Sequence, residues 1–350
     1  LFKSKLNIAL FFGGRSAEHE VSLLSARSIY QAFNQEKYNI FPVAINKKGF
    51  FSPLEESKKI LLGDEKKVPE VKRDNILPQE VLQFLEKEVD LVFPVLHGPY
   101  GEDGKIQGFL DTLNVKYIGC DLTSSAVGMD KAVMKQIFSF YNIPQSNFEI
   151  LKKDEFNNLK TADLFAVFAE SLGLPFFIKP ANMGSSIGIS RVENLATFKN
   201  ALKEAFRYDR KLIIESSVQG RELESAVLGA GNKIKVSTAG EIISTHDFYD
   251  YQAKYEDQST ELIIPADISS ASQQKIKELS LKAFKAVGAE GISRLDFFVN
   301  EKQDQILVNE INTMPGFTKF SMYPLLFKES GITYTELLDE LVELALKRKS

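Results

Sequence analysis

The chain has 350 residues, which at roughly 150 residues per domain allows two or three compact units. With 44% hydrophobic and 26% charged residues, 21 Gly and 12 Pro, the composition is that of a globular protein and excludes a disordered or collagen-like chain. Forty-three Lys and Arg against 47 Asp and Glu give a net charge of -4, so no overall field attracts a polyanion and nucleic acid is not expected as a partner. Cys120 is the single cysteine and His19, His97 and His246 are the only histidines, too few for a disulfide framework or a Cys/His zinc site. A reducing cytoplasm fits that inventory. No stretch reaches the roughly 18 apolar residues of a membrane span, so a soluble chain without a membrane partner is expected.

The first third alternates apolar runs with helical patterns, the order of a parallel α/β sheet. Strands are predicted at 5–12, 39–46, 89–96 and 115–118, with helices at 18–33 and 107–113. Residues 55–74 are charged and aperiodic and read as a surface loop. A helix is predicted over 125–140 and should end before Pro144. Mixed structure follows: a strand at 147–151, a helix at 162–172, a strand at 176–179, a Gly/Ser turn, a helix at 195–206 and a strand at 212–215. The last part is predicted to hold strands at 225–228, 241–244, 291–299 and 305–311 and helices at 270–287 and 334–347. The expected units are 1–125, 126–220 and 221–350, α/β at first and α+β later.

Three familiar signatures fail on context. Gly98 to Ile106 has one residue too many for a phosphate-cradling P-loop and ends in Ile where a magnesium-binding hydroxyl is required. Gly13-Gly14 lacks the remaining glycines of a dinucleotide fingerprint. Gly184-Ser185-Ser186-Ile187-Gly188 satisfies the spacing of a serine-hydrolase elbow, but the β-branched residues that follow deny it the helix that motif needs. A turn with exposed amides, able to nest an anion, fits better.

Lys179 interrupts the apolar strand Phe176-Phe177-Ile178, and a buried ammonium needs an anionic partner. Together with the Gly/Ser loop it points to a phosphate. In Ser293 to Val299 strict alternation puts Arg294 and Asp296 on one face. Glu310 and Asn312 share a face of the next strand. A hairpin through Asn300 to Gln305 would set Asp296 opposite Glu310 and Arg294 near Asn312. Two carboxylates and an amide oxygen suit magnesium bound together with substrate phosphates, and Arg294 can stabilise developing negative charge. Lysine strand, Gly/Ser tip and carboxylate hairpin together imply ATP without a P-loop.

Gly13 to Ser22, Leu96-His97-Gly98 with Gly101 to Gly104, Met129-Asp130-Lys131, Lys179 to Ser186, Tyr249 to Tyr255 and Asn309 to Gly316 are spread over nearly the whole chain. In these segments, and in their order, the chain resembles the D-alanine-D-alanine ligase family of the ATP-grasp superfamily. The resemblance implies an ATP-grasp fold behind an N-terminal parallel-sheet domain, and ATP-dependent joining of two D-alanines through a D-alanyl phosphate. It further implies that Lys131, Lys179, Ser185, Ser186, Glu215, Glu222 and Asn309 serve ATP, Glu215 at the adenine hinge and Glu222 at the ribose. Asp296, Glu310 and Asn312 match ligands of two magnesium ions, for which manganese can substitute. Glu18, linked through Ser185 to Tyr255, matches the holder of the first substrate's ammonium, and His97 lies near its carboxylate. Ser321 and Met322 match the positions that fix the second carboxylate. Arg294 and the Gly316 amide match the stabilisers of the tetrahedral intermediate, and Lys254 a lysine on the transferring phosphate. Residues 246–261 look suited as a lid that excludes water from an acyl phosphate. A homodimer is implied as well. Gln252 and Lys319-Phe320 depart from the family pattern, and a D-lactate- or D-serine-using relative or a non-catalytic ATP-binding protein are the alternatives.

Overall fold

The computed structural model describes residues 5–70, 75–157, 159–243 and 261–348. Its N-terminal part contains β1 (Leu6–Gly13), α1 (His19–Ala32), β2 (Tyr38–Ile45), α2 (Leu54–Leu62), α3 (Gln79–Lys87), β3 (Leu91–Val95) and α4 (Lys105–Thr112). The three strands form a parallel sheet in the order β2-β1-β3. β1 is an almost continuous apolar run because it is central and covered on both faces. At its end Gly13 has φ +92°, and a Cβ there would lie 2.2 Å from the Ile45 carbonyl oxygen, so the turn into the site requires glycine.

Two expectations for this part need correction. The strand predicted at 115–118 is only an isolated parallel bridge, Tyr117 to Val92. The segment read as a loop from residue 55 begins with helix α2, whose buried Ser57, Ile60 and Leu61 are masked in the sequence by Glu55, Glu56, Lys58 and Lys59. Arg27 of α1 closes that helix, donating to the carbonyls of Leu61 (2.9 Å), Ile60 (3.2 Å) and Gly63 (2.6 Å).

The single helix expected at 125–140 is two, α5 (Leu122–Met129) and α6 (Lys131–Phe140). Asp130 leaves the helical conformation at ψ 92° and its carboxylate accepts from the Val133 amide, capping α6. Next come β4 (Phe148–Lys152), α7 (Lys153–Phe156), α8 (Thr161–Leu172), β5 (Phe176–Pro180), β6 (Ser190–Val192), α9 (Leu195–Ala205) and β7 (Lys211–Ser216). Their four strands make an antiparallel sheet, β4-β7-β5-β6, with its own core of Phe168, Phe176, Phe198 and Leu202.

The remaining elements are β8 (Arg221–Ala230), β9 (Lys233–Ile243), β10 (Glu261–Ile263), α10 (Ser270–Ala286), β11 (Gly291–Asn300), β12 (Gln305–Asn312), α11 (Met322–Glu329) and α12 (Tyr334–Lys347). The strands form an antiparallel sheet in the order β10-β9-β8-β11-β12. One face packs on α10 and on Met134 and Phe138 of α6. The other packs, through Tyr323, Phe327, Leu337 and Leu341, into the same core as Ile8, Leu10 and Phe93 of the N-terminal sheet. The first and last parts of the chain therefore share a core, while the middle sheet keeps a separate one.

Phe176 anchors that separate core, with ring centroids 5.9 Å from Phe198 and 6.3 Å from Phe165. Phe176→Ala should remove about 3–5 kcal/mol from the middle sheet. A lowered denaturant midpoint, with the far-UV spectrum unchanged before the transition, is the expected observation.

Candidate active site

The carboxylate face forms at the β11–β12 pairing. Asp296 pairs with Glu310 and Arg294 with Asn312, and a register shift immediately after Asp296 ends the even alternation. Like charges opposite one another in a sheet repel, and cations from two directions offset this. The Arg294 fork binds Asp296 at 2.7 and 2.8 Å and reaches Glu224 of the neighbouring β8 at 3.0 Å. Asn312 Nδ2 also donates to Asp296, at 3.0 Å. Glu310 is held by Lys131, the first residue of α6, at 3.0 Å. Lys131 Nζ donates to the Met183 carbonyl (2.9 Å) and its amide to Ala181 (2.9 Å), which fastens α6 to the segment following β5. Burial pulls the Lys131 ammonium down, but Glu310 beside it wins and the pKa is raised.

Lys179 does have the anionic partner that its place in an apolar strand requires. Its Nζ lies 2.5 Å from Glu215 Oε2, while Lys135 of α6 lies 2.6 Å from Oε1. Ser146 completes the cluster, donating to Glu215 at 3.0 Å and accepting from Lys135 at 3.1 Å. Burial would raise the Glu215 carboxyl, yet the two lysines hold it well below the usual range. For Lys135 burial prevails over Glu215 and the ammonium is shifted down. The Glu215 side chain faces inward to these lysines; the hinge residues that reach a cavity wall are Ser217 and Val218.

From the N-terminal part, Glu18 reaches the Gly/Ser loop: Ser185 Oγ donates to Glu18 Oε1 at 2.6 Å. Ser185 and Ser186 have φ of 50° and 58°, two successive left-handed residues that make the loop a sharp turn. Buried His97 is engaged at both ring nitrogens. Nδ1 donates to the Met314 carbonyl (3.0 Å), and Ser25, whose oxygen accepts from the Phe317 amide (3.3 Å), donates to Nε2 (3.1 Å). Burial lowers its pKa, in keeping with this neutral tautomer.

These groups line two adjoining cavities. The larger, ≈ 620 Å³, is bounded by Glu18, His97, Glu102, Arg294, Asn312, Gly316, Ser321 and Met322. The smaller, ≈ 270 Å³, is bounded by Lys179, Ser186, Glu222, Asp296, Asn309, Phe177 and Val218. Lys131, Ser185, Glu224 and Glu310 belong to both walls. Ser321 is tied to Thr318, whose amide and hydroxyl lie 3.0 and 2.9 Å from its oxygen. Every predicted site residue among those described lines a cavity except Glu215. Lys254, Tyr255 and the expected lid at 246–261 lie outside the described residues, apart from Glu261, which opens β10. Among the described residues no three His, Cys, Asp or Glu side chains cluster as a metal cage. Asp296 and Glu310 with the Asn312 amide instead form the sparse oxygen set that suits magnesium completed by phosphate oxygens.

Sequence reasoning missed Lys135, Glu102 and Glu224. For Glu224 a signal existed, since Glu222 and Glu224 flank Leu223 and so share one face of a strand. Glu102 accepts from the Gly98 amide at 2.6 Å, and its pKa is raised to about 8, by burial first and by Glu18 second. The folded chain therefore holds a proton there that the unfolded chain releases near the ordinary 4.5. Its contribution to stability is present below that value and is lost as pH climbs to about 8. Glu102→Gln should thus gain stability over the parent protein as pH goes from 5 to 8; parallel unfolding curves at the two pH values would contradict this.

Family models described as D-ala D-ala ligase N-terminus and D-ala D-ala ligase C-terminus match residues 7–120 and 137–343. The D-alanine--D-alanine ligase of Halothermothrix orenii is 47% identical over 98% of this chain and 99% of its own. That of Chloroherpeton thalassium is 44% identical, over 99% and 98%. Among solved structures, the D-alanine-D-alanine ligase from Coxiella burnetii superposes with a TM-score of 0.83 at 32% identity, covering 99% of this chain and 95% of that one. The VanG D-Ala:D-Ser ligase from Enterococcus faecalis gives 0.81 at 33% identity, covering 98% and 100%. With both family models matched and full-length relatives well above 30% identity, the chain belongs to the D-alanine-D-alanine ligase family and has its ATP-grasp fold.

Proposed function

We propose that the smaller cavity takes ATP and the larger one two D-alanines, which the protein joins to D-alanyl-D-alanine for peptidoglycan precursor synthesis, releasing ADP and phosphate. The observation that carries this assignment is the shared wall: Lys131, Ser185 and Glu310 border both cavities, so a γ-phosphate and a carboxylate can meet there. Lys131 and Lys179 hold the phosphates, with Ser185, Ser186, Glu222 and Asn309 around the nucleotide. Asp296, Glu310 and Asn312 would hold magnesium, expected as two ions with manganese able to substitute, which supplies positive charge to the phosphates.

Glu18, oriented by Ser185, binds the ammonium of the first D-alanine. His97, neutral and held at both nitrogens, shapes the wall near its carboxylate. That carboxylate attacks the γ-phosphorus, ADP leaves, and an acyl phosphate results. The amine of the second D-alanine, whose carboxylate rests at Ser321 and Met322, adds to the acyl carbon and loses a proton as the carbon–oxygen bond breaks, and phosphate departs, able to carry that proton. Arg294 is fixed by Asp296 and Glu224 before the oxyanion forms, so with the Gly316 amide it stabilises that charge without reorganising. Lys254 and Tyr255, with the lid at 246–261, are assigned to the phosphate and to the Glu18–Ser185 link on resemblance. The same basis supports unit divisions near 125 and 220, a homodimer and a cytoplasmic location. No helix among the described residues is long and apolar enough to cross a membrane.

The test is phosphate release with ATP and magnesium in the presence of D-alanine, L-alanine or no amino acid. Release that depends on D-alanine is expected; release indifferent to it overturns the assignment. Lys179→Met should lose ATP binding, and Asp296→Asn combined with Glu310→Gln should lose metal-dependent turnover. The likeness to a D-Ala:D-Ser ligase makes D-serine, along with D-lactate, the acceptor to offer in competition with D-alanine.

A further inference from the structure

Lys135 touches neither cavity, yet it is the most deeply buried of the three charges in the Glu215 cluster. Its side chain is 1% exposed, that of Glu215 3% and that of Lys179 14%. Each carboxylate oxygen of Glu215 has its own ammonium, Lys135 on Oε1 and Lys179 on Oε2, and only the second of these lysines opens onto the nucleotide cavity. One carboxylate between two ammonium groups leaves a net positive charge. Without Lys135, Glu215 would neutralise Lys179 alone, in a setting where withdrawal from water strengthens every charge interaction. A phosphate approaching Lys179 would then have to compete with Glu215 for that ammonium.

We propose that Lys135 is a positioning residue for nucleotide binding: by occupying one oxygen of Glu215 it leaves Lys179 with charge to give to a phosphate of ATP. The role rests on the assignment of ATP to the smaller cavity. It needs no contact between Lys135 and substrate. The helix arranges it, because Lys131 and Lys135 lie one turn apart on α6, so that one cation enters the cavity wall and the next stands behind it.

The experiment measures ATP affinity by direct titration and KM against kcat for Lys135→Met, Lys135→Arg, Lys135→Met/Glu215→Gln and Lys179→Met. Lys135→Met should raise KM for ATP about tenfold with KM for D-alanine unchanged, and Lys135→Arg should restore most of the loss. The double variant, in which a neutral amide faces Lys179, should recover ATP affinity to within about threefold of the parent. A double variant binding ATP as poorly as Lys179→Met, or a Lys135→Met enzyme that loses only thermal stability, overturns the proposal. If Lys135→Met does not fold, the double variant, which leaves no unbalanced buried carboxylate, decides the question alone. Lys179→Met with parental ATP affinity would overturn the cavity assignment itself, a result distinguishable from failure of the positioning role.

Discussion

Crowding of carboxylates around one sheet end is the constraint on which the site depends. Asp296 and Glu310 face each other across β11 and β12, Glu224 enters from β8, and Glu18 and Glu102 close in from the N-terminal part. Such an assembly is tolerable only with cations among it. Arg294 holds two of the acids and Lys131 a third, and these are the groups that an incoming phosphate or oxyanion would engage. The folding requirement and the chemical one thus select the same residues. Glu102 shows where cations run short: buried, and next to Glu18, its carboxyl retains a proton to about pH 8.

The fold sets how these charges can meet. Because α11 and α12 pack between the first and last sheets, the His97 ring and the Arg294 face are joined through one apolar core, with Ser25, Phe317 and Met314 as the polar bridge. The middle sheet, with a core of its own, reaches the site through polar contacts: Ser185 to Glu18, Lys131 to Met183, and an ion pair between Lys211 and Asp130. Lys179 and the Gly/Ser loop are therefore carried on a unit that meets the rest by hydrogen bonds and charge.

Much of this was legible in the sequence wherever the signal was local. Period-two alternation, a local signal, was enough to place Arg294 with Asp296 on one face of β11 and Glu310 with Asn312 on one face of β12. Their pairing also needs the register shift after Asp296, without which Asn300 opposite Gln305 would set Asn309 against Asp296. The lysine inside Phe176 to Pro180, also a local signal, announced a buried partner. What escaped was non-local or disguised. Helix α2 hid its three buried residues among charges, and Asp130 looked like an ordinary helical residue until its capping bond to Val133 divided α5 from α6. Lys135, one turn after Lys131, reads as part of a solvated helix face. Only the docking of α6 against β7 and against the last sheet buries it, and no pattern within the helix encodes that packing.

The Lys135–Glu215–Lys179 cluster is hard to explain by stability. Taking three charges out of water costs several kcal/mol per ion, and well-packed apolar residues of similar volume serve a fold as well or better. Hydrogen bonds from Ser146 and to it lessen that cost without reversing its sign. An apolar cluster could hold β7 against α6 and β5, but it could not leave an excess positive charge directly behind the strand that carries Lys179. The overall charge of -4 gives no hint of such a charge. What the structure holds instead is a few ammonium groups that are only partly matched by carboxylates within hydrogen-bond distance, which is the arrangement an anion site would need.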